Sequence, residues 1–158
     1  MIAPTKLILL LLVVLLCVFP TIAAQAKQPP QVLITIKRET GLGCSPDYSA
    51  QIYVDGTVAY HGEACVKVVG ERRHKLTCDR IAQLIKAFEQ ANYFSLKDSY
   101  EFDERGMSVT DGARTTTSIS LNGKYKKVLA YLDPPKRLVA LEDQIDKLAG
   151  LYEYIGPL

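Results

Sequence analysis

The chain has 158 residues, 48% of them hydrophobic, and a formal net charge of +2 at pH 7. One domain of this length is close to the modal size and can bury its own core. The nearly neutral balance excludes the strongly basic face typical of nucleic-acid binding, so no nucleic-acid partner is expected.

The first 26 residues have the pattern of a secretory signal peptide. Lys6 precedes a run of thirteen apolar residues, Leu7–Phe19, which is followed by Pro20 and an A-x-A stretch at Ala24–Ala26. A membrane span needs about 20 apolar residues, so this run is too short to be one. We therefore expect cleavage at the end of the A-x-A stretch, export to the periplasm or the extracellular space, and no stable membrane span afterwards.

Cys17 raises an alternative, in which an attached lipid anchors the protein to a membrane. A bacterial lipoprotein signal has a small residue before its cysteine, and Leu16 stands there instead. We therefore interpret Cys17 as one more apolar residue of the signal peptide. The remaining chain is predicted to consist of a short proline-containing linker at 27–31, a single domain at 32–152 and a C-terminal tail at 153–158.

Strand patterns dominate the first half of the domain. The β-branched run Val32–Glu39 predicts a strand, and a loop containing glycine and proline follows it. The next residues alternate around Asp55-Gly56, a dipeptide that favours a two-residue type I′ turn. Such a turn places Ile52 opposite Ala59 and puts both on one face with Val54. A further strand is predicted over 66–76, with a break at Gly70.

Two amphipathic helices are predicted from caps and apolar spacing. Thr77 is the expected N-cap of a helix over Cys78–Asn92. Asp133 is the expected cap of the second helix, with Pro134 at its first position and Gly150 at its end. Its apolar stripe is formed by Leu138, Leu141, Ile145 and Leu148.

A second hairpin is predicted around Asn122-Gly123. A strict two-residue turn sets Leu121 opposite Lys124, and a longer loop stays open as an alternative. Strands followed by a covering helix, twice over, predict an α+β fold. We expect a two-layer domain, with an antiparallel sheet of about five or six strands covered on one face by two helices.

The stretch from His61 to Cys78 contains both histidines of the chain and two cysteines. His61 lies four residues before Cys65, and His74 lies four residues before Cys78. Two histidines and two cysteines are a permitted zinc set. An extended step of four residues spans about 13 Å, however, which is too far for two ligands of one ion unless a tight turn intervenes. We therefore predict no metal and no cofactor, and keep this four-residue set as the alternative.

No catalytic residues are predicted. The chain has no G-x-S-x-G nucleophile motif. The carboxylate-rich stretch Asp98–Gly106 does not match a calcium loop, because Tyr100 takes one ligand position. A metal-dependent or hydrolytic enzyme that uses His61 and His74 remains the alternative function.

Three cysteines remain after signal cleavage, Cys44, Cys65 and Cys78, and exported cysteines usually pair. The two-residue turn makes Cys44 and Cys65 diagonal neighbours, roughly 7–8 Å apart. A disulfide needs Cα atoms within about 6.8 Å. Pro46 favours a bulge that brings the two cysteines closer. We favour a Cys44–Cys65 disulfide with Cys78 free, and the two other pairings stay open.

Five stretches carry a family resemblance: "PDYSAQIYVDGTVAYHGE" (46–63), "VKVVGE" (66–71), "LIKAFEQANYFSLKDSY" (84–100), "TTTSISLNGK" (115–124) and "DPPKRLVALEDQIDKLAG" (133–150). With them, the chain resembles a family of secreted or lipid-anchored bacterial domains of unknown function. Members of that family often have C-x-G-x-C-P-x-Y where this chain has "GLGCSPDY", so Gly41 and Ser45 replace the two cysteines. The resemblance supplies no catalytic residue, and it strengthens Cys65 as the partner of Cys44.

The expected function is a non-enzymatic, exported binding module of the bacterial cell envelope with a protein partner. The layout of strands, hairpin and helix also resembles a small bacterial inhibitor of secreted metallopeptidases. Inhibition is therefore a concrete form that this binding could take.

Overall fold

The computed structural model describes residues 31–102, 105–108 and 111–156. The predicted signal peptide and most of the predicted linker lie outside these residues. Within them, seven strands form one sheet in the order β4-β3-β2-β1-β6-β7-β5. The strands are β1 (Val32–Glu39), β2 (Asp47–Tyr53), β3 (Thr57–Ala64), β4 (Gly70–Lys75), β5 (Ser99–Tyr100), β6 (Arg114–Leu121) and β7 (Lys124–Ala130). The helices are α1 (Cys78–Gln90), α2 (Lys136–Leu148) and the one-turn α3 (Tyr152–Ile155).

The α+β class is confirmed, but the sheet was predicted with too few strands and as purely antiparallel. It has seven strands in the described chain rather than five or six. The additional strand β5 runs parallel to β7, so the sheet is mixed and not purely antiparallel. β5 has only two residues and follows the turn after α1, which is why no alternating pattern could reveal it.

The first hairpin has a different register from the predicted one. Gly56 N–H donates to Tyr53 O at 2.9 Å, and Gly56 has a left-handed φ of 84°. Ile52 therefore pairs with Val58 instead of Ala59, and the loop contains three residues. A shift by one residue exchanges the two faces. Val58 is consequently buried, and Val54 is 52% exposed rather than part of the core face.

The second hairpin has the strict two-residue turn that the sequence left open. Leu121 pairs with Lys124, and Asn122 and Gly123 have φ angles of 52° and 73°. Two consecutive positive φ angles are those of a type I′ turn, which explains the Asn-Gly dipeptide.

Both long helices pack on one face of the sheet. Thr77 caps α1 by accepting the Arg80 N–H, as predicted, although α1 ends at Gln90 and not at Asn92. The core between helices and sheet contains, among others, Leu84 and Phe88 of α1, Leu138, Leu141 and Ile145 of α2, and Ile34, Ile36, Ile52, Val58, Ile119 and Val128 of the strands. The helices thus bury one face of β1–β3, β6 and β7, and no helix of the described chain covers the other face.

The start of α2 was predicted two residues too early. Asp133 has a φ of 47° and belongs to the preceding turn, and the helix begins at Lys136 after Pro135 in the N-cap position. The left-handed turn delays the helix, because Asp133 cannot cap from that conformation. Gly150 has the expected left-handed φ of 71° just beyond the end of α2.

The segment predicted as a strand over 66–76 is shorter, and the predicted tail is part of the domain. β4 begins only at Gly70, because Lys67 N–H and Val68 N–H donate to the carbonyls of Ile155 and Tyr154. Ile155 is buried, so the folded region continues to Gly156 instead of ending at 152.

Candidate functional site

The face of the sheet opposite the helices, called here the open face, has a polar surface. Strand pairing aligns side chains across it in two rows. One row is Arg73, Ala59, Gln51, Thr35, Ser118 and Lys127, and the other is Glu71, His61, Ser49, Lys37, Thr116 and Leu129. Hydroxyl, amide and cationic groups dominate these rows, in contrast to the apolar face under the helices.

A shallow groove of about 600 Å³ follows β1 along the open face. Thr35 and Ser118 hydrogen-bond across its floor, with 2.6 Å between their hydroxyl oxygens. Lys37 at its side is 47% exposed and forms an ion pair with Glu39 at 2.8 Å. The groove thus presents polar groups that already have partners or face solvent.

The two histidines lie on opposite faces of the sheet. His61 is exposed on the open face. His74 pairs with Val58 and points towards the helices, with Nε2 2.8 Å from Ala149 O and Nδ1 3.2 Å from the Tyr154 hydroxyl. One neutral tautomer satisfies both contacts, because Nε2–H donates to the carbonyl while Nδ1 accepts from the hydroxyl. The histidines cannot act together on one ion or one substrate.

The structure brings Cys44 and Cys65 to disulfide distance, with their Cα atoms 5.5 Å apart. A register shift between Asp47 and Tyr48, directly after Pro46, brings the strand ends together. Cys78 is exposed at the start of α1 and is free of a disulfide within the described residues.

The four-residue metal set of the sequence therefore does not assemble. In the part of the chain that the structure describes, no three histidine, cysteine or carboxylate side chains are grouped to hold a metal ion. The carboxylate-rich stretch Asp98–Gly106 lies partly outside that region. Asp98, at its start, forms an ion pair with Lys126 of β7.

A polar network under the helices was missed by the sequence interpretation. Arg38 donates to Asp146 Oδ2 through Nε at 3.1 Å and through Nη2 at 2.8 Å. The Tyr48 hydroxyl donates to the other oxygen of Asp146. Asp146 is fully buried, so its charge depends on these two partners. Burial raises the pKa of Asp146, while Arg38 and Tyr48 oppose that effect by favouring the carboxylate.

Glu142 lies one turn before Asp146 on α2 and is only 4% exposed. Its Oε1 has no hydrogen-bond partner among the described residues. Burial raises the pKa of Glu142 to about 7, and the nearby Arg38 guanidinium only partly offsets this effect. A carboxyl group in this environment is kept neutral over much of the acidic range.

The sequence did contain a signal for this network. Glu142 and Asp146 follow Leu138 at steps of four, so they lie on the buried stripe of α2. Arg38 is likewise in phase with Ile34 and Ile36 along β1. Charged residues at core-facing positions predict buried polar contacts, and their periodicity could have revealed them.

A family model described as Domain of unknown function (DUF6438) matches residues 32–149. The chain belongs to this family. The DUF6438 match extends from β1 to the end of α2, and so covers the whole sheet and the buried network. DUF6438 membership assigns no catalytic, metal or ligand residue, because the family is described only as a domain of unknown function. A search of curated proteins returned no match.

Proposed function

We propose that this DUF6438 chain is an exported, non-enzymatic binding module whose open face contacts another protein of the bacterial cell envelope. The observation that carries this proposal is the broad polar face that no helix of the described chain covers. When helices cover only one face of a sheet, the hydrophobic core lies on that face. The side chains of the opposite face then remain available for recognition.

Two further observations support export. The first 26 residues have the pattern of a signal peptide, and Cys44 and Cys65 lie at disulfide distance. Disulfides persist mainly in oxidising compartments such as the periplasm and the extracellular space. None of the helices in the described residues is long and apolar enough to cross a membrane.

The enzyme alternative has little support from the geometry. It required His61 and His74 to converge, and they project from opposite faces of the sheet. Both ring nitrogens of His74 also have hydrogen-bond partners, the Ala149 carbonyl and the Tyr154 hydroxyl. Inhibition of an envelope enzyme, in contrast, requires only a contact surface and remains one form of the proposed binding.

The proposal is tested by affinity capture with matched charge reversals. Mature protein beginning at residue 27 is immobilised and exposed to an envelope extract of the producing bacterium. Lys37→Glu alters the open face, whereas Lys86→Glu makes the same change on the exposed side of α1. We expect wild type and Lys86→Glu to recover the same partner in stoichiometric amounts, and Lys37→Glu to recover at least tenfold less.

Unchanged circular dichroism and melting temperature must accompany each variant, so that a loss of capture reports the surface and not the fold. Equal recovery by all three proteins rejects the open face as the contact. Repeated empty captures by folded wild-type protein reject the binding module itself.

A further inference from the structure

The sheet has two edges, and within the described residues they differ in length. β5 has two residues, whereas β4 has six. A free strand edge presents N–H and C=O groups that another chain can pair with. Since several ladder pairs are needed to hold an added strand, only β4 is long enough for this kind of binding.

The free backbone groups of β4 can be assigned from its pairing with β3. Leu76 N–H donates to Gly56 O at 2.8 Å, which fixes the alternation of the antiparallel ladder. The even-numbered residues of β4 bond β3, and the N–H and C=O groups of Glu71, Arg73 and Lys75 point to the free side. Among the described residues, no backbone group outside β3 hydrogen-bonds these three backbones. The exposed Arg72 guanidinium donates to the Glu71 carbonyl at 2.7 Å, so an added strand would have to displace that side chain.

The side chains at this edge are mainly cationic. Arg73 and Lys75 lie on the open face, and Arg73 makes no ion pair within the described residues. Lys75 pairs with Asp55 at 2.8 Å, and both of these side chains are exposed to solvent. Arg72 adds a third cation on the opposite face of the sheet. Glu71 is the one carboxylate in β4.

This charge pattern selects among the chains that could pair with β4. Only residues of the same parity can lie opposite each other in an antiparallel pair at this edge, because the free backbone groups belong to the odd-numbered residues. The two centred registers with β4 of a second copy therefore set either Arg73 opposite Arg73 or Arg72 opposite Arg72. Like charges directly opposite each other destabilise a sheet. A strand with carboxylates opposite Arg73 and Lys75 gains cross-strand ion pairs instead.

We propose that the free edge of β4 binds an extended acidic segment of the partner protein by strand addition. This inference rests on the proposed binding function and names the edge and the chemistry of one contact. The added strand continues the sheet, and its carboxylates lie beside the open face.

The test uses two synthetic octapeptides, one of alternating threonine and glutamate and one of alternating threonine and lysine, with the folded mature chain. We expect the acidic peptide to bind and to protect the amides of Arg73 and Lys75 from hydrogen exchange. Binding should weaken at least tenfold with Arg73→Glu, and by less than twofold with the matched control Lys86→Glu. An acidic peptide with alternate backbone nitrogens methylated should lose binding, because it cannot complete the ladder.

Equal binding by the methylated peptide means that only charge attracts the acidic chain, and it overturns strand addition. Failure of the acidic peptide to bind at millimolar concentration also overturns it. If capture of the envelope partner still depends on Lys37 in that case, the binding module stands without the edge. If the peptide binds at β4 while no partner is ever captured, the edge assignment stands and the proposed function fails.

Discussion

The two faces of the sheet differ in how far their polar groups are buried. Under the helices, Arg38, Tyr48 and Asp146 are joined in a desolvated network beside the unsatisfied Glu142. On the open face, the Thr35 hydroxyl bonds that of Ser118 on the neighbouring strand β6, and side chains such as Lys37 and His61 are exposed to solvent. We therefore expect substitutions under the helices to change the free energy of unfolding and its pH dependence. Substitutions on the open face should instead change recognition, with little effect on stability.

The largest effect is expected for Asp146→Ala. This change removes the acceptor of the buried Tyr48 hydroxyl and both Asp146 bonds of the largely buried Arg38 guanidinium, whose ion pair with exposed Asp143 is longer. The free energy of unfolding should therefore fall by about 3–5 kcal/mol. Asp143→Ala is the matched control, because Asp143 contacts the same guanidinium at 3.4 Å but is 54% exposed. It should cost less than about 1 kcal/mol in urea unfolding. Similar losses for the two variants would remove the contrast between buried and exposed pairs.

The features that could be predicted from the sequence are those that neighbouring residues determine. The strand Val32–Glu39, the Thr77 cap and the Asn122-Gly123 turn each depend on neighbouring residues, and all three are present. Arg38 and Asp146 are 108 positions apart, so their contact depends on how α2 packs across the sheet.

The first hairpin shows why a strong local signal can still give the wrong register. Asp-Gly suits both a two-residue and a three-residue loop, since each needs a glycine with positive φ. In the three-residue loop the Asp55 carboxylate accepts the Thr57 N–H at 2.9 Å, a bond that favours the observed register. The acidic Asp98–Gly106 stretch gave no such signal, and β5 within it forms only by pairing with the distant β7.

The proposed Cys44–Cys65 disulfide lies at the loop end of the sheet and belongs to neither face. Its contribution to stability can therefore be measured separately from those of the two faces. It closes a loop with a sequence separation of 21 residues. Cys44→Ser should lower the free energy of unfolding by about 3 kcal/mol, with the open-face contacts unchanged. Cys78→Ser serves as the control and should change stability little. Peptide mapping without reduction should find Cys44 joined to Cys65, and two free thiols at these positions would contradict the pairing.

Glu142 makes a pH-dependent prediction with a defined sign. Below about pH 4.5 the carboxyl is protonated in both states, and it does not alter stability. As pH rises towards 7, the unfolded state gains the free energy of ionisation while the folded state, with its raised pKa, does not. Stability should therefore fall by about 2–3 kcal/mol between pH 4.5 and 7 and stay lower above pH 7.

Glu142→Gln isolates this contribution, because the amide has nearly the same shape and does not ionise. The variant should match wild type near pH 4 and exceed it in stability at pH 8, as measured by urea unfolding at both values. A wild type whose advantage over the variant grows with pH would show that ionised Glu142 has a partner in the folded protein.

The smallest effects come from adjacent residues of β6 that project to opposite faces. Thr117 is fully buried, and its hydroxyl lies 2.8 Å from that of Tyr93, which also donates to the Thr117 carbonyl. Thr117→Val keeps the shape and the carbonyl contact, so it should cost about 1 kcal/mol. Thr116→Val on the open face should stay within about 0.5 kcal/mol, because its side chain borders solvent. Urea midpoints at a constant m-value compare the pair, and an equal loss for Thr116→Val would mean that the open face, like the other, contributes to the folding core.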